Sequence, residues 1–168
     1  MELATLLSLI NTIAIILAGI FAAIQLLQIK QQRGHATALQ MLNSAQTSDF
    51  MEGINIIYNL PGDLSKEEIE DRLGEKFFYL LIMFARFESL GLLVFRREIK
   101  LELVKDFIGG PIIVYWRTTK NYFLETREKS KNENYGEWVQ WLAEQLEKTE
   151  IQKPKKPAYI AHKNWKNR

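Results

Sequence analysis

The sequence predicts an all-α protein in which a single N-terminal transmembrane helix continues into a small cytoplasmic helical bundle. Three observations support this prediction. The first 30 residues are nearly uncharged, apolar residues further along the chain recur at steps of three and four, and the apolar–polar alternation typical of strands is absent. We therefore predict a transmembrane helix at residues 1–30, a helical domain at 31–149 and a basic, proline-containing tail at 150–168.

The predicted span extends from Leu3 to Ile29 without a formal charge. A helix of about 27 residues is about 40 Å long, which exceeds a hydrocarbon core of about 30 Å. A cleaved signal peptide is disfavoured because the segment lacks a basic start and exceeds the usual apolar length. Lys30 and Arg33 follow the span and no basic residue precedes it. The positive-inside rule thus predicts an inner-membrane protein with its N-terminus outside and its domain in the cytoplasm.

The predicted span has two different faces. Large aliphatic residues occupy one face, whereas small and polar residues recur on the opposite face. This second stripe, called the seam below, comprises Ser8, Asn11, Ala18, Ala22 and Gln25. Helices in lipid associate through close approach at small residues and through interhelical hydrogen bonds. The seam therefore predicts self-association or packing against another membrane protein, and a plain anchor that tolerates one amide is the simpler alternative.

Capping residues and apolar periodicity predict the first helices of the domain. Ser48 or Asp49 is placed to cap a short helix, and Ser65 with Glu68 has the spacing of a capping box. The helix that begins there is predicted to be central and buried, because it continues with apolar residues at Ile69, Leu73, Phe77, Leu80, Phe84 and Phe87. The charges of Arg86 and Glu88 argue against a second span at 77–95.

Two further breaks divide the rest of the domain. The "GGP" at 109–111 is predicted to end a helix at about 98–107, with Pro111 as the first residue of a helix that continues to about 131. The "NENYG" at 132–136 precedes a last helix. Its predicted inward face consists of Tyr135, Trp138, Leu142 and Leu146.

The layout resembles a bacterial family of unknown function that joins one N-terminal span to a small cytosolic helical domain. The residues that carry the resemblance are "FE" at 87–88, the "LGLLV" that follows, "FIGGPII" at 107–113, "YW" at 115–116 and Arg127. The resemblance covers about residues 1–146. It implies the fold but no established activity.

Glu88, Trp116 and Arg127 form the candidate site of the domain. Trp116 and Arg127 are three helical turns apart and so share a face. Glu88 is the natural partner of Arg127, because a charge beside the core must be paired. We predict a buried ion pair with an aromatic lid that fixes the helix register. A binding pocket built on the same three residues is the alternative.

A second similarity is to membrane-anchored accessory proteins of RNA-guided antiviral (CRISPR-type) systems, which pair one span with a bundle related to nucleotide-binding ribonuclease folds. Such nucleases use an arginine followed four to six residues later by a histidine. This chain lacks that spacing, because Arg33 and His35 are too close and only Lys156 lies at that distance before His162. The similarity therefore implies a role at the membrane rather than RNA cleavage.

Residues 151–168 of the tail hold six of the 22 basic residues and none of the 20 acidic ones, so residues 1–150 carry a net charge of −4. We expect an extended tail that contacts anionic lipid, nucleic acid or the acidic body of a neighbouring subunit. A solvated tail is the simpler alternative. The candidate contact residues are Lys153, Lys155, Lys156, Lys163, Trp165, Lys166 and Arg168.

Composition excludes much catalytic chemistry. The absence of cysteine excludes disulfides, thiol nucleophiles and thiolate metal sites, and the two histidines offer little material for metal or acid–base chemistry. Walker loops and the GxGxxG, GxSxG and HExxH motifs do not occur in the sequence. We expect a protein without enzymatic activity, metal or cofactor.

Three functions remain open from the sequence. The leading one is an accessory or effector subunit that forms a homo-oligomer through the seam and the helical domain, in its most specific form a membrane pore in antiviral defence. The second is a passive membrane tether that recruits a protein partner. The third is a divergent RNA-binding or RNA-cleaving bundle. All three place the chain in contact with membrane lipids.

Overall fold

The computed structural model of the protein describes residues 2–45, 47–152 and 156–166. The structure is 82% helical, and the described residues contain no strand, so the all-α prediction is confirmed. The chain divides into two compact units, Met1–Met41 and Leu42–Arg168. The second unit contains the hydrophobic core.

Helix α1 (Glu2–Ala45) contains the predicted span and continues well past its end. The stretch Ile10–Ile29 has a mean hydropathy of 2.2, and none of it is buried within the protein. Leucine, isoleucine and alanine make up most of this stretch and favour the helix, and no proline interrupts it. By length and composition the stretch qualifies as a membrane span, as an N-terminal signal sequence also would.

Helix α2 (Ser48–Asn59) begins one residue earlier than a cap at Ser48 would require. Thr47 occupies the N-cap position, and its side chain makes no capping hydrogen bond. Its Oγ1 instead accepts a hydrogen bond of 3.0 Å from Nη1 of Arg86. The predicted cap is therefore wrong, because a tertiary contact takes the hydroxyl that a local cap would have used.

The predicted central helix is two helices. Helix α3 (Lys66–Leu73) begins with the predicted capping box, in which Ser65 and Glu68 exchange hydrogen bonds of 2.8 and 3.2 Å. A 3-10 turn (Gly74–Lys76) then separates α3 from helix α4 (Phe77–Phe95). Gly74 has φ 50°, ψ −124°, a conformation that favours glycine, and it ends α3. The prediction of one continuous helix is thus wrong at this residue.

Helix α4 is the centre of the domain, and it packs against α2 and α6. Side chains of the helix that follows it contact α4 as well, through ring contacts and a hydrogen bond from the hydroxyl of Tyr115 to the carbonyl oxygen of Leu80. The buried residues of α4 are Leu80, Met83, Phe87, Leu90, Gly91 and Val94. The stretch Lys66–Phe95 also passes the length and composition test for a span, with a mean hydropathy of 1.8 and a third of its most apolar window buried. Packing in the core accounts for the apolar character of this buried face.

Helix α5 (Leu101–Ser130) continues across the "GGP" with a kink at Ile108, where φ is −140° and ψ is 16°. A proline clashes with the carbonyl four residues earlier and lacks an N–H group, so a regular helix through Pro111 is disfavoured. The kink places Pro111 in the first turn of the second segment, where a missing N–H costs little. The predicted break is therefore present, but it lies three residues before Pro111.

Helix α6 (Glu137–Gln152) packs against α4 and α5, and helix α7 (Ala158–Ala161) is a single turn in the tail. The predicted extended tail is thus wrong at α7. Helix α6 buries Val139, Leu142, Ala143 and Leu146 completely. Leu142 and Leu146 confirm part of the predicted inward face, whereas Trp138 is half-buried and Tyr135 precedes the helix.

Candidate functional site

The N-terminus of α6 is capped by a side chain from α4. Gly136 precedes the helix with φ 71° and has no side chain to serve as a cap. Oε2 of Glu88 instead accepts a hydrogen bond of 2.8 Å from the backbone N–H of Val139. A carboxylate at a helix N-terminus also interacts favourably with the helix dipole. Glu88 therefore holds the start of α6 against α4 across 51 residues of sequence.

Arg127 holds the same helix start from α5. Its Nε donates to the carbonyl oxygen of Tyr135 at 2.8 Å, and its Nη1 donates to Oε1 of Gln140 at 2.7 Å. Its Nη2 is buried and has no hydrogen-bond partner among the described residues. Arg127 thus joins α5 both to the loop before α6 and to the first turns of α6.

The predicted ion pair between Glu88 and Arg127 is absent from the salt bridges of the described residues, which extend to 4 Å. Each side chain instead satisfies groups at the start of α6, where backbone N–H groups lack partners within the helix. The two charges are still near enough for Arg127 to lower the pKa of Glu88 slightly. The sequence identified two groups that share a location, but not the helix end that both of them bind.

Trp116 belongs to the aromatic core of the domain. Its side chain is 5% exposed, and its ring centroid lies 5.7 Å from that of Phe123. A void of about 10 Å³, the size of one water molecule, lies nearby between α4 and α5. Its lining includes Tyr115, Phe123 and Tyr135 but none of the three predicted site residues. The described geometry therefore favours a packing role for Trp116 over a ligand pocket.

Burial raises the pKa of Glu88 above its ordinary value of 4.5, and the N–H groups of Val139 and Trp138 oppose this shift. Folding therefore favours the protonated carboxyl group. The corresponding stabilisation is present below the ordinary pKa and is lost as pH rises through the raised pKa of the folded protein.

We expect Glu88→Gln to remove this part of the pH dependence, because the amide oxygen still accepts a backbone hydrogen bond but does not titrate. Glu88→Ala, which also removes the cap, is expected to be about 0.5–2 kcal/mol less stable than Glu88→Gln at any pH, because neither variant titrates here. Urea unfolding of both variants between pH 4 and 8 measures the difference. An unchanged pH dependence in Glu88→Gln would contradict the assignment.

All five residues of the seam lie on α1, and all five side chains are exposed. The polar side chains in this part of α1 differ in the hydrogen bonds that they make within the helix. Oγ1 of Thr12 donates to the carbonyl oxygen of Ser8 at 2.9 Å, so this hydroxyl is satisfied within its own helix. Asn11 carries a larger polar group, and its side chain is exposed.

Four of the seven candidate contact residues in the tail are described, and they are exposed, as contact with lipid, nucleic acid or protein requires. Lys156, Lys163, Trp165 and Lys166 all belong to this group, and the side chain of Trp165 is 72% exposed. Lys153, Lys155 and Arg168 lie outside the described residues. Within the part of the chain that the structure describes, no group of three or more His, Asp or Glu side chains is arranged to hold a metal ion.

One surface feature was not predicted. Phe95 at the end of α4 lies against Trp138 and Trp141 of α6, with ring centroids 4.8 and 5.7 Å apart. The two indole rings are 6.3 Å from each other. The spacing of the two tryptophans at i and i+3 on one helix was the available signal, because such residues share a face.

These observations define the class of the protein: an N-terminal apolar helix joined to a compact helical domain whose half-buried charged groups bind its own helix ends. Residues 12–146 match the domain of unknown function DUF4760, and the chain belongs to this family. The predicted family of unknown function is confirmed at this level, and the match shows no link to antiviral systems. No curated protein and no solved structure shows a significant match to the chain.

Proposed function

We propose that the protein is a single-span membrane protein without enzymatic activity that self-associates through the seam of α1. The observation that carries this proposal is the uniform exposure of Ile10–Ile29, an uncharged stretch with a mean hydropathy of 2.2. A helix of this kind requires an apolar environment. Its polar side chains then require partners that lipid does not supply.

The arrangement of the seam supports self-association over a plain anchor. At about 100° per residue, its five residues fall within an arc of about 100° around the helix. Small residues at Ala18 and Ala22 allow close approach of a second backbone, and Asn11 can then form a hydrogen bond across the contact. Asn11 is the central group of the proposal because it lies deeper in the apolar stretch than Ser8 or Gln25.

The proposed orientation places the N-terminus outside the inner membrane and the helical domain in the cytoplasm. Lys30 and Arg33 follow the span directly, and no basic residue precedes it. The domain would then act as an accessory or effector subunit on the cytoplasmic side. Labelling of single cysteines introduced at residue 2 and at the exposed Glu133, with a reagent that does not cross membranes, tests this orientation.

A matched pair of variants tests the seam. Asn11→Leu is expected to weaken self-association by about 3- to 30-fold, which corresponds to one interhelical hydrogen bond of about 0.6–2 kcal/mol. Thr12→Val is the control, because Thr12 lies about 100° from Asn11 around the helix and its hydroxyl already bonds to Ser8. Mass determination in detergent over a range of protein concentrations measures both variants.

Three results would contradict parts of this proposal. A wild-type chain that stays monomeric at high concentration would contradict self-association, and the passive tether that recruits a partner would be the remaining function. If Asn11→Leu and Thr12→Val weaken self-association equally, self-association does not depend on the seam. Salt-sensitive RNA binding at low ionic strength would favour the nucleic-acid alternative.

A pore is the more specific form of the proposal. If several copies meet around an axis, Ser8, Asn11 and Gln25 provide polar groups at three levels of one helix face. Such a pore would conduct ions across planar bilayers, and Asn11→Leu would alter the conductance. A role in antiviral defence is the further proposal that the sequence similarity motivates, and phage challenge of cells with and without the gene tests it.

A further inference from the structure

We propose that Phe95, Trp138 and Trp141, with the basic turn that follows α4, form a surface that docks the helical domain onto anionic lipid. We call this set of aromatic side chains the aromatic surface. The inference rests on the proposed span, which tethers the domain to a bilayer. It concerns a different part of the chain from the seam and from the basic tail.

The aromatic surface presents large rings to solvent. The side chain of Phe95 is 55% exposed, neighbouring Leu93 is 37% exposed, and both tryptophans are partly exposed. The three rings contact one another within 6.3 Å. Indole rings are enriched where a membrane meets water, because their apolar body and polar N–H group suit both environments.

The turn beside these rings is basic. Residues 96–100 contain Arg96, Arg97 and Lys100 against one acid, Glu98, and all four side chains are exposed. None of the three basic side chains takes part in an ion pair among the described residues. A basic residue near an anionic leaflet contributes attraction equivalent to about a fivefold change in binding. Aromatic rings beside unpaired basic groups therefore favour anionic lipid as the occupant.

The backbone at Arg97 makes this residue a suitable position for a test. Arg97 has φ 61°, in the left-handed region, and it occupies the position after α4 at which glycine is usually found. The helix ends in a Schellman motif, in which the N–H groups of Arg97 and Glu98 bond to the carbonyls of Val94 and Leu93 at 2.9 and 3.0 Å. Glycine suits this conformation, so the charge of Arg97 can be removed without disturbing the end of α4.

The proposed span keeps this surface close to lipid. Only residues 30–47 separate the apolar stretch Ile10–Ile29 from α2, and about 18 residues extend to at most about 65 Å in any conformation. A tether of this length keeps the domain near the bilayer and so raises the local concentration of lipid at the aromatic surface. Weak lipid contacts by the aromatic surface are therefore sufficient for docking.

The test uses the full chain reconstituted into vesicles that contain a fixed fraction of brominated phosphatidylcholine, in which phosphatidylglycerol progressively replaces unbrominated phosphatidylcholine. Bromine quenches tryptophan fluorescence at short range, so docking quenches Trp138 and Trp141. Trp165→Phe removes the exposed tail fluorophore, and buried Trp116 remains as a constant background. We expect quenching to increase with the fraction of phosphatidylglycerol.

Arg97→Gly is the decisive variant, because glycine suits the backbone at this position and folding is expected to be retained. It should lower the ratio of docked to undocked domain about fivefold. Lys131→Gly is the matched control. Lys131 has φ 53° and caps the C-terminus of α5, whereas the basic turn precedes the N-terminus of that helix. This variant loses the same charge at the same kind of backbone position, and its quenching should equal that of the parent protein.

Absence of quenching at every lipid composition would overturn the proposal, and so would equal effects of the two glycine variants. Protection of Trp138 and Trp141 from iodide without quenching by bromolipid would assign the surface to a protein contact. A carbonate wash of the same vesicles after the measurement reports on the span. Chain that resists the wash but shows no quenching refutes docking alone, whereas quenched chain that washes off refutes the span alone.

Discussion

Replacing Phe123 with alanine is expected to destabilise the helical domain by about 3–5 kcal/mol. The side chain is 1% exposed and lies within 6.2 Å of five other aromatic rings, those of Phe84, Tyr115, Trp116, Tyr122 and Tyr135. It also lines the existing void of about 10 Å³, so truncation enlarges a cavity that is already present. The loss of contacts and the larger cavity act in the same direction.

Leu124→Ala is the matched control for this prediction. Leu124 is the next residue on α5, but its side chain is 43% exposed, so we expect a loss below about 1 kcal/mol. Urea unfolding monitored by tryptophan fluorescence measures both variants, since all four tryptophans lie in the second unit. Similar losses for the two substitutions would contradict the central position of Phe123.

Replacing Gly91 with alanine is expected to destabilise the domain by about 3 kcal/mol or more, at the upper end of overpacking effects. A Cβ atom at this position would overlap the carbonyl oxygen of Trp138 and lie 2.8 Å from its carbonyl carbon. Both atoms belong to the backbone of α6, so no side-chain rotation relieves the clash. Helices α4 and α6 would have to separate, which also disturbs the cap that Glu88 provides.

Gly110→Ala is the control for Gly91→Ala. Gly110 is also a helical glycine, but the nearest atom to an added Cβ is the hydroxyl of Tyr58 at 3.8 Å. Because alanine favours helix over glycine, this variant should be neutral or more stable by up to about 1 kcal/mol. Thermal and urea unfolding of both variants check the contrast. A loss below about 1 kcal/mol for Gly91→Ala would show that α4 and α6 adjust easily.

The candidate site could be predicted only in part. The sequence placed Glu88 and Arg127 together because buried charges need partners, and the structure brings both to the start of α6. Their partners are backbone and amide groups of that helix start, which have no signature in the sequence of α4 or α5. Trp116 was expected as a lid and is instead part of the core.

The fold followed from the sequence wherever the causes are local. A long uncharged apolar run determined α1, the three-residue spacing of Ser65 and Glu68 determined the start of α3, and steps of three and four determined the buried stripe of α4. Each depends on residues within one or two helical turns. Interactions over such distances can be recognised without knowledge of the tertiary structure.

The tertiary structure decided the features whose causes are distant in sequence. The hydroxyl of Thr47 bonds to Arg86 rather than to its own helix, Gly91 packs on the backbone of α6, and Glu88 caps α6 across 51 residues. Unpaired backbone groups and close-packed surfaces take whichever partner the fold brings near. Local patterns therefore set the helices of this protein, whereas packing between distant residues set how these helices are held together.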